Sequence, residues 1–160
     1  MNMKILMSRT PSPSQVGFTL VELMVVIVIL GILVTIGLNS YQGVLNRSRQ
    51  ASVKTNMHSM HNVVELYAVD YSGLYPGSVE EMLNDPDISK QRVLTDLINP
   101  ITGVPGIHNT YDNETVGTKQ PGMVTYDLSD NKLDYWLYGY DIYAQKIQER
   151  GQVYVVSSGN

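Results

Sequence analysis

The sequence predicts an α+β fold: a long N-terminal α-helix, hydrophobic in its first half, packed in its second half against a three- to four-stranded antiparallel β-sheet. Three observations predict it. From Phe18 to Leu38 the chain is apolar except for Thr19, Glu22 and Thr35. Val53, Met57, Met60, Val64, Tyr67 and Tyr71 then follow at spacings of four, three, four, three and four, which is one apolar stripe on a helix. Beyond Gly122 the pattern changes to the alternation of strands.

Taken in order, residues 1–17 carry Lys4 and Arg9 and then Thr10-Pro-Ser-Pro-Ser, a turn-like or extended stretch. Residues 18–38 form a run long enough to cross a bilayer as a helix. The run is too long for the apolar core of an ordinary secretory signal, and no A-x-A-like cleavage site follows it. Glu22 inside it costs on the order of 1–3 kcal/mol on insertion scales, and such buried charges tend to be functional and paired.

Residues 39–71 continue the helix, since no proline occurs between Leu38 and Pro76. Unbroken from Phe18 to Tyr71, it would extend about 80 Å. Tyr71-Ser-Gly73, with Pro76 beyond, supplies the stop, and Ser78-Val-Glu-Glu81 fits a capping box for a short following helix. Residues 72–121, punctuated by Pro86, Asn99-Pro100, Gly103, Pro105-Gly106 and Gly117, form a mostly irregular connector. Val93, Leu94, Leu97 and Ile98 allow one or two amphipathic turns within it.

Residues 122–160 hold the sheet and tail. Met123–Leu128 alternates, and Ser129–Lys132 is a polar hairpin loop. Leu133–Tyr140 is apolar or aromatic on both faces and therefore central. Val153–Val156 is the last strand, and Ile142–Gln148 reads equally as a short strand or a helical turn. The absence of cysteine excludes a disulfide staple and thiolate chemistry.

Gly17-Phe18-Thr19-Leu20-Val21-Glu22, followed by this apolar run, resembles the class III signal of type IV pilins and type II secretion pseudopilins. Leu74-Tyr75-Pro76 followed by Val79–Leu83 is similar to the element after the long helix in G-type pseudopilins and many pilins. The resemblance implies a prepilin peptidase that cuts between Gly17 and Phe18 and N-methylates Phe18, and a pairing of Glu22 with the Phe18 amine of a neighbouring subunit. It also implies the type IV pilin fold and, as partners, identical subunits in a helical filament, an inner-membrane assembly platform, and the membrane before assembly. The precursor would span the inner membrane once, and the product would be an extracellular pilus or a periplasmic pseudopilus.

Gln15-Val16 stand where family leaders often place a basic residue. Loss of Lys4 and Arg9 with the leader takes the formal charge from −4 to −6. That balance argues against a broad basic face for nucleic acid. Orientation follows the resemblance alone, because Arg47, Arg49 and Lys54 close after the run do not favour an N-terminus-in topology. Gly31, Gly37 and Gly43, set among β-branched and backbone-competing residues, mark the stretch expected to lose helical regularity inside a filament.

Other constellations carry less. His58 and His61 lie three apart but lack a third ligand beyond Glu65, so they read as polar-face residues. Asp127, Asp130, Asn131 and Asp134 invite calcium, yet the C-terminal Ser157–Asn160 offers no matching acidic loop, and no metal or cofactor is expected. Eleven tyrosines are explained by strand propensity and packing without electron transport. Asn46-Arg-Ser48 and Asn113-Glu-Thr115 match a glycosylation sequon, a pattern common by chance. No arrangement of catalytic residues is present. The sequence therefore points to a structural pilus subunit, with a G-type major pseudopilin or an adhesive or DNA-binding minor pilin as alternatives.

Overall fold

The computed structural model describes residues 17–115 and 117–159. The expected leader lies outside them except for Gly17, and Lys4 and Arg9 fall with it. The chain divides into two units, Met1–Tyr41 and Gln42–Asn160. Helix α1, Leu20–Asp70, supplies the described helix of the first and the opening helix of the second.

In the first unit every apolar side chain from Leu20 to Leu38 is exposed. Among its described side chains, Thr35 turns onto its own helix backbone. The Thr35 hydroxyl donates to the Gly31 carbonyl at 2.9 Å, a bond that lets a hydroxyl exist in an apolar run without an unmet partner.

In the second unit the expected stripe packs inward: Val53, Met57, Met60 and Val64 are fully buried, joined by Val63, Tyr67 and Ala68. Tyr71, the last expected stripe residue, lies just past the helix end and is exposed. The helix stops where the chain turns left-handed at Ser72 and Gly73 (φ 57° and 86°), and the Gly73 N–H closes on the Ala68 carbonyl at 2.8 Å. That is the six-to-one bond of a Schellman end.

The main sheet has four strands: β1 (Tyr111–Asn113), β2 (Val124–Leu128), β3 (Tyr135–Gly139) and β6 (Val155–Ser157), in the order β1-β2-β3-β6. β3 is central and antiparallel to both neighbours, with Tyr126 opposite Leu137 and Leu137 opposite Val156. β1 runs parallel to β2, Tyr111 beside Val124. The sheet is therefore mixed, and the expectation of a wholly antiparallel sheet is corrected by a strand drawn from the connector. A separate two-stranded ribbon, β4 (Gln148–Glu149) and β5 (Gln152–Val153), precedes β6.

Val124, Tyr126, Tyr135, Leu137 and Val156 from the sheet close on the α1 stripe. Gly139 allows the close approach: a Cβ there would lie 2.8 Å from both Met57 Sδ and Val53 Cγ1. The connector adds α2 (Val79–Asn84) and α3 (Pro86–Gln91), which contribute Val79, Met82 and Ile88 to the core. Ser78 caps α2, accepting the Glu81 N–H, while Glu81 returns to Gly77 N–H at 2.6 Å. Asp85 opens α3 by accepting the Asp87 and Ile88 N–H groups at 2.9 and 3.0 Å, with Pro86 in the first helical position. The turn expected around Val93–Ile98 is present over residues 93–96, after α3.

Candidate functional site

The head of α1 is built by two side chains. Thr19 stands just before the helix, and its hydroxyl oxygen accepts the Glu22 N–H at 3.2 Å. Glu22 Oε2 in return accepts the Thr19 N–H at 2.9 Å and the Thr19 hydroxyl at 2.7 Å. This is a capping box, T-x-x-E, which satisfies otherwise orphan N–H groups at a helix start. Both contacts fall on one carboxylate oxygen, so Oε1 has no partner among the described residues. The spacing was legible in the sequence, where Glu22 read only as a charge in an apolar run.

The box fixes where the helix begins and leaves Gly17 and Phe18 in non-helical backbone ahead of it. Phe18 is 84% exposed. A Cβ added at Gly17 would meet nothing within 4 Å. No contact among the described residues demands glycine there. The same holds for Gly31, Gly37 and Gly43, all of them within α1. Among the described residues α1 is the one helix long and apolar enough to cross a membrane, and its apolar stretch is not buried.

Several polar residues of the second unit hold the fold. His58 Nε2 meets the Tyr154 hydroxyl at 3.1 Å, while His61 Nδ1 is bonded to the Tyr135 hydroxyl. Tyr135 also donates to Glu65 Oε1 at 2.8 Å, and Tyr75 joins at 3.3 Å. Burial, and then Glu65, pushes the Tyr135 hydroxyl far up from its ordinary value. The two histidines thus reach different tyrosines, and no group of three or more metal-ligating side chains converges among the described residues. In the hairpin, Asn131 Oδ1 accepts from Ser129 Oγ at 2.6 Å, and Asp134 Oδ1 accepts from Ser158 Oγ at 3.1 Å.

A second cluster was not legible. Glu114 accepts from Tyr140 at 3.0 and 3.1 Å, from Thr125, and from Lys146 at 2.9 Å, with Lys119 at 3.6 Å. Burial alone would raise the Glu114 carboxyl, but these donors and the Lys119 charge outweigh it and hold it below the usual range. The cluster covers Thr125, which alternation assigns to the open face of β2 and which is fully buried. Asn113, in one of the two sequons, spends its amide on α2: Oδ1 accepts the Val79 N–H and Nδ2 donates to Glu80, both at 2.9 Å.

These features define a class: an α+β protein whose exposed apolar helix begins at a capped, glycine-headed motif. The family model "Prokaryotic N-terminal methylation motif" matches residues 14–38. The chain is 39% identical over 56 residues to the type IV major fimbrial protein FimA of Dichelobacter nodosus, covering 35% of this chain and 36% of that protein. It is 42% identical over 60 residues to the prepilin peptidase-dependent protein D of Escherichia coli K12, covering 38% and 41%. To the type II secretion system core protein G of Vibrio cholerae it is 39% identical over 62 residues, covering 39% and 42%. The matched stretch therefore spans well under half the length of these curated relatives, and no solved structure matches. At family level this N-terminal stretch is similar to type IV pilins and to a type II secretion core protein.

Proposed function

We propose that the chain is a prepilin, the structural subunit of a type IV pilus. It polymerises through residues 18–38 after a prepilin peptidase cuts between Gly17 and Phe18 and methylates the new Phe18 amine. The observation that carries this reading is the exposed apolar stretch of α1 from Leu20 to Leu38, headed by a glycine that no contact among the described residues requires. Some 20 apolar residues in water are strongly unfavourable, so the helix needs lipid first and other such helices later. The requirement for glycine is then placed on the peptidase, which must fit a residue without a side chain before the scissile bond.

Glu22 serves assembly. One oxygen stays on Thr19, and the other takes the Phe18 amine of a neighbouring subunit, since either charge left alone in a low-dielectric bundle costs several kcal/mol. Gly31, Gly37 and Gly43 let the helix loosen once protein replaces lipid around it; each costs about 1 kcal/mol against alanine in a helix. The precursor sits in the inner membrane, and the filament forms outside it.

Similarity to core protein G supports a second reading, the major pseudopilin of a type II secretion system. Deletion of the gene separates the two. Loss of sheared surface filaments with secretion intact is the expected result. Loss of protein secretion with filaments intact would transfer the chain to the second reading, and an effect on neither would overturn both.

A further inference from the structure

The basic residues that follow the apolar run fit no role described so far, and they sit awkwardly with a C-terminal unit outside the cytoplasm. The structure divides them. Lys54 is committed, with Nζ 2.6 Å from Glu149 Oε2 and 4.0 Å from the Tyr154 ring centre. Arg47 and Arg49 have no ion-pair partner among the described residues. Arg47 is exposed and stands one turn beyond Val44, itself exposed; Arg49 is half-buried. An arginine on a helix leans over the turn N-terminal to it, so an apolar residue and a cation share one face, the combination that suits a bilayer interface.

We propose that Arg47 and Arg49 bind the phosphate headgroups of anionic phospholipid where the C-terminal unit leaves the membrane. The inference rests on the reading that residues 18–38 occupy the bilayer. Position favours lipid over a second copy of the chain: both arginines fall within the stretch of roughly 15–20 residues beside a span over which basic residues feel the membrane. These cations then act as a headgroup anchor.

The full chain lacks cysteine, so Ser48→Cys gives one labelling point on the exposed face. The labelled chain is placed in nanodiscs of phosphatidylcholine with or without phosphatidylglycerol, and its quenching by a headgroup-borne nitroxide is measured. Each arginine near an anionic surface should shift the bound-to-free ratio about five-fold. Quenching should therefore rise with phosphatidylglycerol, fall again in about 0.5 M salt as the Debye length shrinks, and lose its lipid dependence in R47Q/R49Q with unchanged circular dichroism. Equal quenching in the two lipids, or a phosphatidylglycerol effect that survives R47Q/R49Q, overturns the proposal. So does a double variant that alters only cross-linking between copies, which would name a second copy as the occupant. Co-elution of the chain with the discs checks the membrane reading separately; its failure would remove that reading and the inference together.

Discussion

Replacing Asn99 should loosen the whole connector, by an amount that follows from its hydrogen bonds. The residue is fully buried. Its Nδ2 donates to the carbonyls of Asn109 and Pro121 at 2.7 and 2.8 Å, and its Oδ1 accepts the N–H groups of Ile101 and Thr102 at 2.8 and 3.1 Å. Asn99→Ala strands two carbonyls and two N–H groups. At roughly 1 kcal/mol or more for each group not reached by water, the loss is about 3–5 kcal/mol. Asn99→Asp is nearly isosteric and keeps the two N–H contacts, but it sets a carboxylate oxygen against two carbonyl oxygens. At neutral pH it should cost no less than alanine. Thermal unfolding followed by circular dichroism should show a fall of roughly 12–20 °C for either variant, at about 4 °C per kcal/mol. Hydrogen exchange should rise first between residues 99 and 122. If Asn99→Asp unfolds within about 1 kcal/mol of the parent, the hydrogen-bond accounting is wrong.

Three further outcomes are expected. Gly139→Ala should destabilise by about 1–2 kcal/mol, because Val53 is β-branched and cannot move aside as Met57 can; a more stable variant in urea unfolding would contradict the close approach. The hydrogen bond to Asp112, and then its charge, raise the His108 imidazole above its ordinary value. The stability from that pair is thus fully present below the unfolded pKa of about 6.5 and is lost as pH rises through the higher folded value. His108→Gln should flatten the melting temperature across that window, and an unchanged slope would exclude the pair. Glu22→Gln keeps an oxygen for the Thr19 cap but not the charge, so it should be processed and inserted yet assemble poorly, as should Glu22→Ala; normal filament yield from Glu22→Gln would reduce Glu22 to a helix cap.

Legibility in the sequence tracked how local each determinant is. The α1 stripe was legible because Val53, Met57, Met60 and Val64 keep the helical period against one buried face. β3 was recognisable as central because both of its faces are apolar or aromatic. β1 was not: three residues, Tyr111-Asp112-Asn113, carry no alternation, and their parallel pairing is imposed by β2 across ten residues of loop. Thr125 misled for a related reason, since the cover over it comes from Glu114, Tyr140 and Lys146, distant in sequence. Pro86 read as a breaker when, after Asp85, it opens a helix. At the N-terminus, Gly17, Phe18 and Glu22 were legible as one contiguous motif. The Thr19–Glu22 box was equally local, and there the apolar run drew attention to the charge rather than to the cap.

The most direct test of the central claim is the N-terminus of the protein recovered from sheared surface filaments. Mass spectrometry should find a chain that begins at Phe18 with one methyl group on its amine, and Gly17→Val should leave only uncut precursor in the membrane. A filament chain that begins elsewhere, or an unmethylated Phe18, or filaments that do not contain this chain at all, would contradict the account.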